Sequence, residues 1–274
     1  MRFFLWECPP GAKLPTPGEE ILFSTAESHH LLKVIRTQRG ETVNLTDGQG
    51  SFYRGVLAGQ TGNRARISIR SVQEDLADTR RPHLALACAV VKGRRFAWVL
   101  EKSVELGVHE IWPLQTDRTV VAPGPGRQAR WRTIVKTALK QSGRAYLPRV
   151  HPVTDLAACL GSLPASWIAY GDLAPETADP TFGPLPARDE VQSRLDPTGL
   201  VSHWEEPPPI CIWVVGPEGG WSESERSLLA ERANLALTLG PHRLRTETAA
   251  TAGLILMQIW RQSWWERPPD RPLP

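Results

Sequence analysis

The sequence has little sulfur, and none of it is arranged as a site. Its 274 residues include two methionines and four cysteines. Cys8, Cys88, Cys159 and Cys211 are scattered, with no C-x-x-C pair and no histidine at metal-ligand spacing, which argues against both a metal site and a disulfide framework. Cys88 and Cys211 sit inside apolar strand-like runs, the usual setting of a buried thiol. No apolar run approaches the roughly 20 residues needed to span a bilayer. The opening Met1-Arg2-Phe3-Phe4-Leu5-Trp6-Glu7 meets a charge, then Pro9-Pro10, too early for a secretory signal, so a cytoplasmic location is expected. No G-x-G-x-x-G follows a strand-like run, which disfavours a dinucleotide enzyme, and there is no internal repeat. One-sided charge is also lacking: the net charge is +3. That permits a nucleic-acid partner without demanding one, and local clusters matter more than the total. With 41% hydrophobic residues the chain is an ordinary globular protein.

The pattern changes along the chain. Residues 1–74 carry short strand-like runs at 42–46, 52–57 and 64–72, separated by glycine turns, as in a small β-barrel. Ser24 and Glu27 signal a capping box for a short helix over 29–37. Residues 75–82 are polar and read as a linker. From 83 to 267 strands and helices alternate: strands at 84–91, 110–114, 167–170, 210–215 and 235–239, helices at 94–106, 127–142, 223–233 and 248–264. This argues for an α/β domain with a mostly parallel sheet. Residues 171–209 are rich in Pro, Asp and Glu and read as a flexible insertion; 268–274 form a proline-rich tail.

Two loops carry the chemistry. The run 210–215 ends in Gly216-Pro217-Glu218-Gly219-Gly220, where Pro217 restricts φ and Gly219 and Gly220 allow φ > 0 and close approach of a ligand. Ser222 and Glu225 then form a capping-box signal. Strand, glycine loop and helix N-terminus together suit a polar or anionic small molecule. The second loop follows at once: Leu239, Gly240, then Leu244-Arg245-Thr246-Glu247-Thr248-Ala249. Two such loops imply one site built from neighbouring strand ends. Taken alone, the first loop also has a plainer reading as a tight turn.

The two loops together resemble the cofactor loops of the RsmE family, SPOUT-class RNA methyltransferases acting on uridine N3 in 16S rRNA. His29-His30-Leu31-Leu32-Lys33-Val34-Ile35-Arg36 is similar to that family's N-terminal helix motif. Lys92-Gly93-Arg94-Arg95, with Glu101-Lys102 and Glu105-Leu106-Gly107, resembles its first βα unit. The resemblance implies a SPOUT-type, trefoil-knotted, mostly parallel sheet with an N-terminal PUA-like or OB-like RNA-binding barrel. It implies S-adenosyl-L-methionine as cofactor, held by Tyr170, Val215, Gly216, Pro217, Glu218, Gly219, Gly220, Leu239, Gly240, Leu244, Arg245, Thr248 and Ala249. It implies 16S rRNA in the 30S subunit as partner, and a homodimer. The terminal helix suits close helix packing through Ala249, Ala250, Ala252 and Gly253, and packing on its own sheet is the alternative.

Candidate catalytic residues are Arg245, to stabilise a uridine anion through O2 or O4, and Glu247 or a water as proton acceptor. Both also have plainer readings: Glu247 suits a helix first turn, and Arg245 suits an ion pair with Glu247 or Glu218. Candidate RNA contacts are His30, Lys33, Arg36, Lys92, Arg118, Arg132, Lys136 and Arg144. Arg132, Lys136 and Lys140 stripe one helix face, suited to phosphates, with an ordinary solvated face as the alternative. Lys140 stands where the family usually carries an acidic residue.

Overall fold

Period-two alternation and glycine turns build the first of two units. The structure is a computed structural model that describes residues 3–8, 13–75, 81–120, 124, 126–164, 166–172, 207–240 and 242–265. Strands Phe3–Leu5 (β1), Glu20–Leu22 (β2), Thr42–Thr46 (β3), Ser51–Thr61 (β4) and Arg64–Glu74 (β5) form a sheet in the order β1-β3-β4-β5-β2. Only β1 is parallel to its neighbour. Ala65, Ile67 and Ile69 of β5 point inward and are fully buried, joining Phe4, Phe23, Leu31 and Leu45 in one core. Where β4 bends, a Cβ at Gly55 would lie 2.5 Å from Ile67 Cγ2, so the close strand approach requires glycine there.

The first helix begins earlier than expected. Thr25–His29 (α1) starts directly after Ser24, whose Oγ accepts from Glu27 N at 3.2 Å. It runs on as a π-helical stretch, His30–Ile35, that ends at Arg36 with φ +63°. The Glu27 carboxylate does not complete the expected box; it accepts instead from Lys140 Nζ at 2.5 Å and Leu5 N at 3.4 Å. Lys140 lies on Arg127–Ser142 (α3), and residues 130–148 group with this unit. The segment after α3 is tied down by Thr46 Oγ1 and Gly50 N, both donating to Ala145 O at 3.0 Å.

The second unit comprises residues 81–129 and 149–274. Its strands are His83–Ala89 (β6), Val108–Leu114 (β7), Arg149–Val150 (β8), Ser166–Gly171 (β9), Ile210–Val215 (β10) and Leu235–Leu237 (β11). They form an all-parallel sheet in the order β11-β9-β10-β6-β7-β8. Every residue of β10 is buried, as expected of a strand covered on both faces. The helices are Arg95–Glu105 (α2), Leu156–Ser162 (α4), Glu223–Arg232 (α5) and Thr246–Trp265 (α6). Ile212 and Val214 of β10 share a core with Leu156, Leu160 and Leu229 of α4 and α5. Trp213 faces α6, where its Nε1 donates to Ala249 O at 3.1 Å. Trp167 of β9 stacks on Trp260 of α6 with ring centroids 4.5 Å apart.

From β6 the chain builds outward through β7 to β8, then returns to place β10, β9 and β11 on the other side. The order in which strands are added therefore reverses at β6, and in such sheets ligand crevices form beyond the carboxyl ends of the strands. Most of the expected insertion at 171–209, the tail at 268–274 and most of the linker at 75–82 lie outside the described residues, while Gly171 closes β9. Strands β1, β2 and β8 and helix α4 were not expected from the sequence.

Candidate functional site

The first loop is a rigid turn. Gly220 N donates to Pro217 O at 2.9 Å, and Gly220 has φ +72°. Gly219 lies outside the left-handed region, so only one of the two glycines expected to need it does so. Gly219 is instead a close-approach residue: a Cβ there would sit 3.2 Å from Arg118 Cβ, and Arg118 Nη1 donates to Gly219 O at 3.0 Å. A Cβ at Gly216 would lie 3.0 Å from Trp221 Cε2, and Trp221 Nε1 donates to Gly171 O at 3.1 Å. The expected capping box at α5 is complete, with Ser222 Oγ accepting from Glu225 N and Glu225 Oε2 from Ser222 N. The other oxygen of Glu225 accepts from Asp117 N at 3.1 Å, and Ser222 Oγ donates to Asp117 Oδ2 at 2.6 Å. The loop after β7 is thus bonded to the loop after β10.

The second loop closes over the first. Thr246, the first residue of α6, is buried and donates from Oγ1 to Gly216 O at 3.1 Å. Asp172 N donates to Leu237 O at 3.2 Å, and Thr238 Oγ1 to Asp172 O at 3.4 Å. Three strand ends and the first turn of α6 enclose a cleft with about 640 Å³ of open space, its mouth included. Val215, Leu237, Leu239, Leu244 and Ala249 provide apolar lining; Asp172, Glu218, Thr238, His242, Arg243 and Thr246 provide polar lining.

Charges gather beside the cleft. Arg95 Nη1 donates to Glu218 Oε1 and lies 3.9 Å from Glu247 Oε2. Burial, then the charges of Glu247 and Glu218, push the Cys88 thiol well above its ordinary range. Arg226 Nη2 lies 3.6 Å from Asp172 Oδ1. Burial and the Asp172 charge raise the Tyr170 phenol.

Of the expected cofactor residues, Val215, Gly216, Pro217, Glu218, Gly220, Leu239, Gly240, Leu244 and Ala249 line this cleft, whereas Tyr170, Gly219, Arg245 and Thr248 do not. Arg245 is exposed, and Glu247 is half-buried with its carboxylate toward Arg95. The cation paired with Glu218 is Arg95, not Arg245. Thr246 of the second loop lines the cleft too, and sequence reasoning missed Gly171, Asp172, Trp221, Thr238, His242 and Arg243. The Gly-Asp step that ends β9 was a usable signal, because strand C-termini feed such crevices.

The expected RNA residues meet varied fates. Lys33, Arg36, Lys92, Arg118 and Arg132 are exposed. His30 packs edge-on against Phe4, with ring centroids 5.7 Å apart. Lys136 donates to Glu7 Oε1 at 2.7 Å, and Arg144 is buried. With Lys140 on Glu27, two of the three cations in the α3 stripe are already neutralised by carboxylates of the first unit. Among the described residues no group of His, Cys, Asp and Glu is placed to hold a metal ion, and no helix is long and apolar enough to cross a membrane.

A model of the RNA methyltransferase domain matches residues 79–258, and one of the RNA methyltransferase PUA domain matches residues 23–70. The chain is similar to ribosomal RNA small subunit methyltransferase E of Mycobacterium bovis, 28% identical over 257 residues, which cover 92% of this chain and 90% of that one. The protein of the same name from Synechocystis sp. is 29% identical over 234 residues, 85% of this chain and 71% of that one. Among solved structures, ribosomal RNA small subunit methyltransferase E from Neisseria gonorrhoeae bound to S-adenosyl methionine aligns with a TM-score of 0.73 at 27% identity, over 94% of this chain and 97% of that one. Since the domain model alone spans more than half of its length, the chain belongs to the RNA methyltransferase family that pairs this domain with a PUA domain.

Proposed function

We propose that the chain transfers a methyl group from S-adenosylmethionine to N3 of a uridine in the 16S RNA of the small ribosomal subunit. The observation that carries this reading is the cleft at the ends of β9, β10 and β11, walled by the two bonded loops. Val215, Leu239, Leu244 and Ala249 suit the adenine and the thioether chain, while Asp172 and Thr238 suit ribose hydroxyls and Glu218 an ammonium group. The cofactor, when bound, supplies a methyl group already activated on a sulfonium.

What remains for the protein is to place the base, take the N3 proton and exclude water. Glu247 is suited to accept the proton: its Oε2 is buried and makes no hydrogen bond among the described residues. Arg245, exposed and two residues before it, is suited to meet O2 or O4 as charge develops. The uridine must first leave its stack, and exposed Lys33, Arg36, Lys92, Arg118 and Arg132 offer phosphate contacts. The reading includes a trefoil crossing, supported by the bond from Thr246 to Gly216, and a homodimer, supported by exposed Trp98 on α2 and Ile255 and Ile259 on α6. It places the enzyme in the cytoplasm.

The test is incubation of the purified protein with labelled S-adenosylmethionine and 30S subunits lacking the modification, followed by nucleoside mass analysis. N3-methyluridine at one position is expected. Methylation of a uridine carbon, or of transfer RNA alone, would overturn the assignment.

A further inference from the structure

Arg95 reaches both loops of the cleft from outside it. It is the first residue of α2, whose first turn contains no acidic residue and whose N-cap residue, Arg94, forms no side-chain cap. The negative charge that a helix N-terminus favours arrives from elsewhere in the chain. Glu218 of the first loop accepts from Arg95 Nη1, and Glu247 of the first turn of α6 brings Oε2 to 3.9 Å from the same nitrogen. The Glu247 side chain is only 14% exposed, and among the described residues neither carboxylate is paired with another cation. Two carboxylates meeting at one point repel each other, and a guanidinium between them removes that repulsion. The planar fork of donors in arginine holds carboxylates on separate segments in a way that a single ammonium does not.

We propose that Arg95 is a positioning residue for methyl transfer, a clasp that holds the 216–220 loop against the first turn of α6 and aims the Glu247 carboxylate. The aiming role rests on the methyltransferase reading above; the clasp does not.

The clasp is tested without ligand by amide hydrogen exchange on Arg95→Ala and Arg95→Lys. Arg95→Ala should speed exchange at 218–220 and 247–249 by about fivefold, the scale of a half-exposed ion pair, and leave β4 and β5 unchanged. Arg95→Lys should restore part of the protection. Unchanged exchange, or faster exchange in one loop only, would overturn the clasp. The aim is tested by single-turnover methylation at saturating S-adenosylmethionine, where Arg95→Ala should slow transfer about tenfold with the KM for RNA unchanged, the effect of a misplaced reacting group. In a Glu247→Gln background the same substitution should add nothing, and equal slowing there would overturn the aiming role. A wild-type protein that binds no S-adenosylmethionine would overturn the methyltransferase reading and leave the exchange result to decide the clasp.

Discussion

Adding one methyl group at Gly253 should loosen α6 from the sheet. An ideal Cβ there would lie 2.0 Å from Trp213 Cε2 and 2.2 Å from its Nε1. Carbon atoms rest about 3.5–4.0 Å apart, so helix and indole must separate by roughly 1.5 Å. Trp213 is fully buried on β10 between β6 and β9, and has nowhere to turn. Overpacking of this kind costs about 1–3 kcal/mol. Loss of the indole bond to Ala249 O adds about 1 kcal/mol. The better helix propensity of alanine returns about 1 kcal/mol. Gly253→Ala should therefore destabilise the second unit by about 1–3 kcal/mol, a fall of about 2–12 °C in its melting temperature. Gly161→Ala is the matched control. Gly161 is also helical, but a Cβ there meets nothing within 4 Å, and alanine should stabilise by about 0.5–1 kcal/mol. The assay is thermal unfolding of the three proteins side by side, followed by calorimetry with S-adenosylmethionine. Cofactor affinity should fall in Gly253→Ala alone, because moving α6 moves Thr246 and its bond to Gly216. Equal stability of Gly253→Ala and wild type would refute the close packing from which this reasoning starts.

Two further predictions address stability and chemistry away from the cleft. Lys140→Glu should destabilise the first unit by about 2–3 kcal/mol, since both side chains of the Lys140–Glu27 pair are largely buried and the change sets two carboxylates together; a charge-swapped Glu27→Lys/Lys140→Glu double variant should recover most of the loss, and a failure to recover would show that the pair does not act as a pair. A thiol reagent applied to the native protein should modify Cys8 and spare Cys88, Cys159 and Cys211, all buried, with Cys159 pushed up to about 12 by its burial and then by Asp155 and Glu110. A thiol held neutral in the folded state but free to ionise when unfolded favours folding at low pH, so this contribution should be intact below about 9 and fade as pH rises toward 12; denaturant titrations at pH 8 and 10 measure it, and rapid labelling of all four thiols at neutral pH would contradict the burial.

Most of the fold that rests on neighbours in sequence was legible without coordinates. β3, β10 and α3 fall on the expected boundaries, and the capping box at Ser222 and Glu225 forms as read. Each is decided within a few residues: a run of apolar side chains, a hydroxyl three positions before a carboxylate, a glycine where the chain turns. Strands β1, β2 and β8 are two or three residues long, too short for any periodicity to register. Their existence depends on a partner strand supplied from elsewhere in the chain.

The site divides along the same line. Both glycine loops were visible as motifs, and nine of their residues line the cleft. Asp172, at the end of β9, lines it as well. Arg95 meets Glu218 across 123 positions, and Lys140 meets Glu27 across 113. Gly253 owes its identity to an indole on another strand. A basic stripe at helical spacing tells which side chains share a face, and only the folded chain decides whether carboxylates wait opposite them, as Glu7 and Glu27 do. Spacing along the chain sets local geometry because the backbone has few conformations. Which distant groups meet is decided by packing, where burial and charge compensation act on side chains that the sequence keeps far apart.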